Sequence, residues 1–340
     1  MGRGFPGRKI PRPGRRVCSP PGNRFARVEL CRCLALGARS RQSAARIFQK
    51  HFRSVGTRRS RSGCPTLGRV DVEIAHEVLG PVDGQPLVLL TGIGDHRVHW
   101  PRAFLDAAGS AGFRLAILDN RDSGRSTHPK EPYSLADMAG DTVAVLDAIG
   151  WDSAHVFGFS LGGMIGQVLA IRHPGRVRSL TSMASAPGMS FRISRPRLGT
   201  ALRVRQVVRR AGTGREAAAE TWVAVQRIIG SPGYPFPEAE LREIALRAYD
   251  VDHDPDALRR QFAAMRSSGD LRKDLARVRI PTLVVHGECD PVQHPRAAKA
   301  TAAAIPGARL MLLPGVGHCL PPPELWPKLF EAMARLRRQA

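Results

Sequence analysis

Six short apolar runs, at residues 86–90, 115–118, 154–157, 177–181, 281–285 and 309–313, each end in small or polar turn residues. Runs of four or five residues with little polar alternation are strands covered on both faces, which is a property of parallel sheets. Between them stand stretches with apolar residues at helical spacing: 135–149, 164–172, 295–304 and 323–338. Strand alternating with helix predicts an α/β fold with a mostly parallel, doubly wound sheet. Ahead of the first run, Val70, Val72, Ile74 and His76 alternate with Asp71, Glu73 and Ala75, the period of a strand with one covered face. The folded domain is therefore expected over residues 67–340. One interval breaks the alternation: residues 187–270 have helical texture and no convincing strand. Following a strand whose carboxyl end faces the ligand side of such a sheet, they are expected to form a helical lid.

The chain has 340 residues and a formal charge of +23, a value that suggests nucleic acid until the cations are located. Residues 1–68 hold 15 Arg and 2 Lys against the single acid Glu29, hence +16, whereas the remaining 35 basic and 28 acidic residues leave the body at +7. Residues 1–66, rich in Arg, Gly, Pro and Ser, read as a disordered basic extension. Three standings fit it: an extension without function, an organelle-type transit segment, or a nucleic-acid-binding tail. Its first 50 residues offer only Phe5, Phe25 and Phe48 as stacking platforms, so no nucleic-acid partner is expected. No apolar run approaches the roughly 20 residues of a membrane span. Cys18, Cys31, Cys33 and Cys64 lie in the basic extension and only Cys289 and Cys319 in the body, a distribution that suits neither a disulfide framework nor a zinc site. A cytoplasmic compartment is favoured, with the Arg-rich terminus as the feature that would redirect it.

The chemistry concentrates at Gly158-Phe159-Ser160-Leu161-Gly162. The string is short, but it sits between an apolar strand and a helix, the setting a nucleophile elbow requires. A turn that tight brings the positions flanking the serine against neighbouring backbone, which selects glycine at 158 and 162. The serine would stand at a helix N-terminus, where backbone N–H groups favour developing negative charge. Two further segments could complete it. His286-Gly287-Glu288-Cys289-Asp290-Pro291 follows the strand at 281–285, and Pro314-Gly315-Val316-Gly317-His318 follows the last strand. A serine hydroxyl needs an imidazole to take its proton and a carboxylate to hold the imidazolium in one tautomer. Asp290 and Glu288 are both candidates for that carboxylate, and a cap of the local turn is a third role open to Asp290.

Over residues 69–340 the chain resembles the α/β-hydrolase superfamily, whose order of Ser, then acid, then His it meets with Ser160, Asp290 and His318. Within it, Asp119-Asn120-Arg121-Asp122-Ser123-Gly124-Arg125-Ser126, followed by the helix at 135–149 and the elbow, is most similar to the aclacinomycin-methylesterase-like esterases. The resemblance implies a cofactor-independent serine hydrolase that cleaves a carboxylic ester of a small or bulky organic molecule through an acyl-enzyme. It also implies an oxyanion hole from the N–H groups of Ile93 and Leu161, with Thr91 standing where many relatives have His. Lactone, amide or carbon–carbon cleavage on the same triad is the alternative chemistry, and a non-catalytic small-molecule binding protein is the alternative class. Phe159 and Trp100 are candidate pocket residues, with core packing equally open to them. His155 and His286 read as core histidines, and Arg121 and Arg125 as part of a structural turn.

Overall fold

The computed structural model describes residues 72–189, 197–254 and 256–337. The basic extension, with the readings made for it, lies outside them. Seven strands form one sheet: β1 (His76–Leu79), β2 (Gln85–Leu90), β3 (Phe113–Leu118), β4 (Ala154–Phe159), β5 (Val177–Met183), β6 (Thr282–Gly287) and β7 (Arg309–Leu313). Their order is β1-β3-β2-β4-β5-β6-β7, and every pairing except β1 with β3 is parallel. Five of the six apolar runs lie within these strands, and the run at 281–285 does so from Thr282 onward. The two innermost pairs show why: Leu87, Val88, Leu89 and Leu90 are buried on both faces of β2, as are five of the six residues of β4.

Helices α1 (Arg102–Ser110), α2 (Leu135–Ala148), α3 (Leu161–Arg172), α9 (Arg296–Ala304) and α10 (Trp326–Arg337) connect or follow strands, and α4 (Leu198–Arg209), α5 (Arg215–Ile229), α6 (Glu238–Val251), α7 (Ala257–Ser267) and α8 (Arg272–Leu275) lie between β5 and β6. Two buried clusters pack the sheet. One joins Val88, Leu90, Val156 and Leu180 to Leu135, Met138, Ile165 and Leu169, and the other joins Leu87, Leu89, Phe157 and Val285 to Phe104, Leu329 and Phe330. The helix α2 begins where Ser134 accepts from Asp137 N while the Asp137 carboxylate accepts from Ser134 N, a reciprocal cap that satisfies two amides without helical partners.

The first strand departs from expectation. Alternation predicts it over residues 70–76, but it runs from His76 to Leu79. The preceding residues pair with a loop instead: Glu73 N donates to Thr127 Oγ1, Thr127 N to Glu73 O, Ala75 N to Ser126 Oγ and Asp119 N to Ala75 O. Their period is that of an extended segment with one covered face, and the cover is loop 119–127 rather than a strand. In the same loop the buried Asp119 carboxylate accepts from Arg97 N at 2.7 Å and Arg125 N at 2.9 Å. Arg121 pairs with Asp141 on α2, so this turn is built for structure, as its sequence suggested.

Candidate active site

Ser160 separates the last residue of β4 from the first of α3. Its backbone is in the left-handed region, φ 52°, a conformation that costs a non-glycine residue about 1–3 kcal/mol and persists only where surroundings hold it. They do so here. Ser160 N donates to Met183 O at 2.8 Å, and its carbonyl accepts from Ser185 Oγ at 2.8 Å. The flanking glycines have no alternative. A Cβ on Gly158 would lie 2.2 Å from Gly162 O, and one on Gly162 would lie 2.2 Å from Leu90 O. The strand–turn–helix therefore closes only with glycine at both positions, and this turn presents the Ser160 side chain at the helix N-terminus.

His318 follows β7 on a loop held by the inserted helices: His318 N donates to Ile229 O at the end of α5, and Gly317 N donates to Ser231 Oγ. Its Nε2 lies 3.1 Å from Ser160 Oγ and its Nδ1 lies 2.7 Å from Asp290 Oδ2. Side chains 158 and 28 residues from the histidine thus meet in one line. Asp290 is wholly buried, while Ser160 and His318 are 8% and 7% exposed.

Asp290 takes up two of the roles its sequence position allowed. Its Oδ1 caps the turn, accepting from Val292 N and Gln293 N at 2.8 Å each, while its Oδ2 faces His318. Glu288, the competing acid, is exposed. Burial pushes the Asp290 carboxyl up, but the His318 and His286 imidazoles outweigh burial and hold it well below the usual carboxylate range. His286 was legible only as a core histidine. It is fully buried, its Nε2 lies 2.8 Å from Gln293 O and 3.2 Å from Asp290 Oδ2, and it is therefore a second imidazole on the same carboxylate oxygen.

The loop after β2 packs on the elbow: a Cβ on Gly92 would come within 3.3 Å of the Phe159 ring. Thr91 braces this loop, donating from Oγ1 to Asp95 O and accepting from Asn120 Nδ2. Within the loop, Gly94 N donates to Gln261 and Asp95 N to Gly92 O. Ile93 lies within this braced turn, and Leu161 is the first residue of α3, where a helix leaves its amides without an internal partner. Phe159 is half-buried and its ring centroid lies 5.4 Å from that of His318. Trp100 takes the packing alternative. It is buried among Phe104 and Phe157, with centroids 5.6 and 5.9 Å away, in the cluster that also holds Leu87 and Leu89 of β2.

Among the described residues, one set of three His, Cys or acidic side chains converges closely enough to hold a metal ion: Asp122, His128 and Asp254. Arg260 Nη2 lies 2.5 Å from both carboxylates, so a guanidinium already supplies the positive charge at that point.

Known proteins resemble this chain in sequence and fold. A sequence model of the alpha/beta hydrolase fold matches residues 85–220. Rhodomycin D methylesterase DauP of Streptomyces sp. (strain C5) is 31% identical over 276 residues, covering 74% of this chain and 90% of its own length. Rhodomycin D methylesterase DnrP of Streptomyces peucetius is 30% identical over the same shares of both chains. A crystal structure of a hydrolase from Pseudomonas aeruginosa PA01 superposes with a TM-score of 0.61 at 28% identity, covering 78% of this chain and 94% of that one. With its parallel sheet, its elbow and these relatives, the chain belongs to the α/β-hydrolase family and is a hydrolase.

Proposed function

We propose that the protein is a serine esterase that cleaves a carboxylic ester through an acyl-enzyme. The observation that carries this reading is the continuous line from Ser160 Oγ through His318 to Asp290, at 3.1 and 2.7 Å, on a serine held at positive φ. In this reading His318 Nε2 takes the Ser160 proton as Oγ attacks the ester carbonyl, and Asp290 stabilises the imidazolium and fixes its tautomer. The tetrahedral oxyanion is met by the N–H groups of Ile93 and Leu161. Collapse expels the alcohol, which leaves with the proton from His318. Water, deprotonated by the same imidazole, then attacks the acyl-enzyme and releases the acid.

The helices between β5 and β6 serve as the lid in this account. Bonds from α5 to the histidine loop and from α7 to the oxyanion loop support that role. The preferred substrate is a methyl ester of a bulky polycyclic molecule, a choice supported by the names of the two Streptomyces relatives and by nothing in the fold itself. The basic extension contributes no group to the reaction. The test is a screen of p-nitrophenyl and methyl esters of graded size. Turnover of methyl esters on large ring systems, exceeding that of small esters, supports the reading; cleavage confined to lactones or amides refutes it.

A further inference from the structure

We infer that Gln261, on the inserted helix α7, is a positioning residue that sets the oxyanion-binding loop from above. Gln261 is wholly buried and both ends of its amide are used: Oε1 accepts from Gly94 N at 2.8 Å and Nε2 donates to Arg121 O at 3.1 Å. Gly94 directly follows Ile93, the residue whose N–H is proposed to meet the oxyanion, so the bond to Gly94 fixes the peptide plane next to the donor.

The helix that delivers Gln261 is itself anchored. Arg260 is bidentate on the buried Asp122, at 2.6 Å from Nε and 2.5 Å from Nη2, and Nη2 also meets Asp254. Consecutive residues of α7 thus grip the two loops, 91–95 and 119–127, that follow β2 and β3. A side chain that merely filled space here would need neither amide end. A glutamine that bonds one backbone N–H and one backbone C=O, 167 and 140 residues away, ties the orientation of the oxyanion loop to the seating of the insert. The consequence is that binding of substrate and stabilisation of the tetrahedral species are separable. Gln261 touches the loop behind its donor and not the reacting atoms, so its loss acts on the transition state more than on the ground state.

The inference rests on the serine-esterase reading, and the experiment separates the two. Wild-type protein, Gln261→Met and Gln261→Glu are compared for kcat, KM, thermal midpoint and affinity for an alkylboronic acid, which bonds to Ser160 Oγ and becomes tetrahedral. Methionine keeps the volume and removes both hydrogen bonds. The protonated glutamic acid, assayed near pH 6 where burial against a carbonyl keeps it neutral, restores both, its C=O accepting from Gly94 N and its O–H donating to Arg121 O. Loss of a whole oxyanion donor costs about 10²–10³ in kcat, so a displaced donor is expected to cost about 10- to 100-fold. Gln261→Met should show that loss in kcat with KM within about threefold, and should lose boronate affinity by the same factor as kcat/KM. Gln261→Glu should recover to within about tenfold of wild type. Activity and boronate affinity unchanged in Gln261→Met, a loss carried by KM alone, or a loss that tracks the folded fraction would each overturn the inference. A wild-type protein that neither binds the boronate nor turns over esters would instead overturn the esterase reading.

Discussion

Replacing Asp290 by Asn tests the proposed division of labour at the most constrained atom of the site. The two oxygens of Asp290 have different duties: Oδ1 accepts from Val292 N and Gln293 N, and Oδ2 faces His318 Nδ1 and His286 Nε2. An asparagine can keep only one oxygen. Two backbone N–H groups at 2.8 Å fix it at the turn, so the NH₂ is forced toward the imidazoles. His286 Nε2 must carry hydrogen to bond Gln293 O, and it cannot also accept from the new amide. His318 then accepts at Nδ1 and holds its proton at Nε2, the nitrogen that faces Ser160, where it can no longer act as base. The same exchange in a serine protease lowers kcat by about 10⁴, equivalent to about 5.5 kcal/mol of barrier. We expect a loss of that order for Asp290→Asn with the fold retained, and Glu288→Gln within about tenfold of wild type because its carboxylate is exposed. The assay is kcat/KM on the preferred p-nitrophenyl ester with circular dichroism as the fold control. Asp290→Asn within tenfold of wild type, or Glu288→Gln the worse of the two, would refute the assignment.

Three further outcomes follow from the same structure. Gly162→Ala, whose Cβ would lie 2.2 Å from Leu90 O, should destabilise the protein by about 3 kcal/mol or more and abolish activity; a normal denaturation midpoint would contradict the elbow geometry. The unfolded Asp290 carboxyl takes up a proton near pH 4 whereas the folded one, held well below that, does not. Its contribution to stability is therefore complete above about pH 4 and lost as pH falls further. The urea midpoint of wild type minus that of Asp290→Ala should accordingly stay constant from pH 8 to about 4.5 and narrow below it. A chain beginning at Leu67 should keep kcat/KM and thermal midpoint within error, and loss of either would show that the basic extension takes part in the fold.

Much of this was written in short-range pattern. Five of the six apolar runs became strands that are largely buried, the sixth forms the more exposed edge strand β7, and alternation with helical period left a mostly parallel sheet as the consistent arrangement. The elbow was legible because Gly158 and Gly162 are required by contacts within and beside the turn. What sequence did not reveal depends on partners far along the chain. Val72 to Ala75 carry a strand's period, yet their backbone bonds go to a loop some 50 residues on. Gln261 and Arg260 look like ordinary polar helix residues until α7 lies across loops 140 to 170 residues earlier. His286 reads as a core histidine because nothing local says that the Asp290 side chain, four residues on, turns back to it. Trp100 resembles a pocket aromatic by position, and only the packing of Phe104 and Phe157 shows which side of the chain it takes.

The central claim, that Ser160 is the nucleophile, is tested most directly by reaction with a fluorophosphonate followed by peptide mass spectrometry. The account predicts one adduct on Ser160 in the wild-type protein, and no labelling of Ser160→Ala at the same concentration and time although its thermal midpoint is unchanged. Adduct on another residue, or labelling of Ser160→Ala at the wild-type rate, would contradict it.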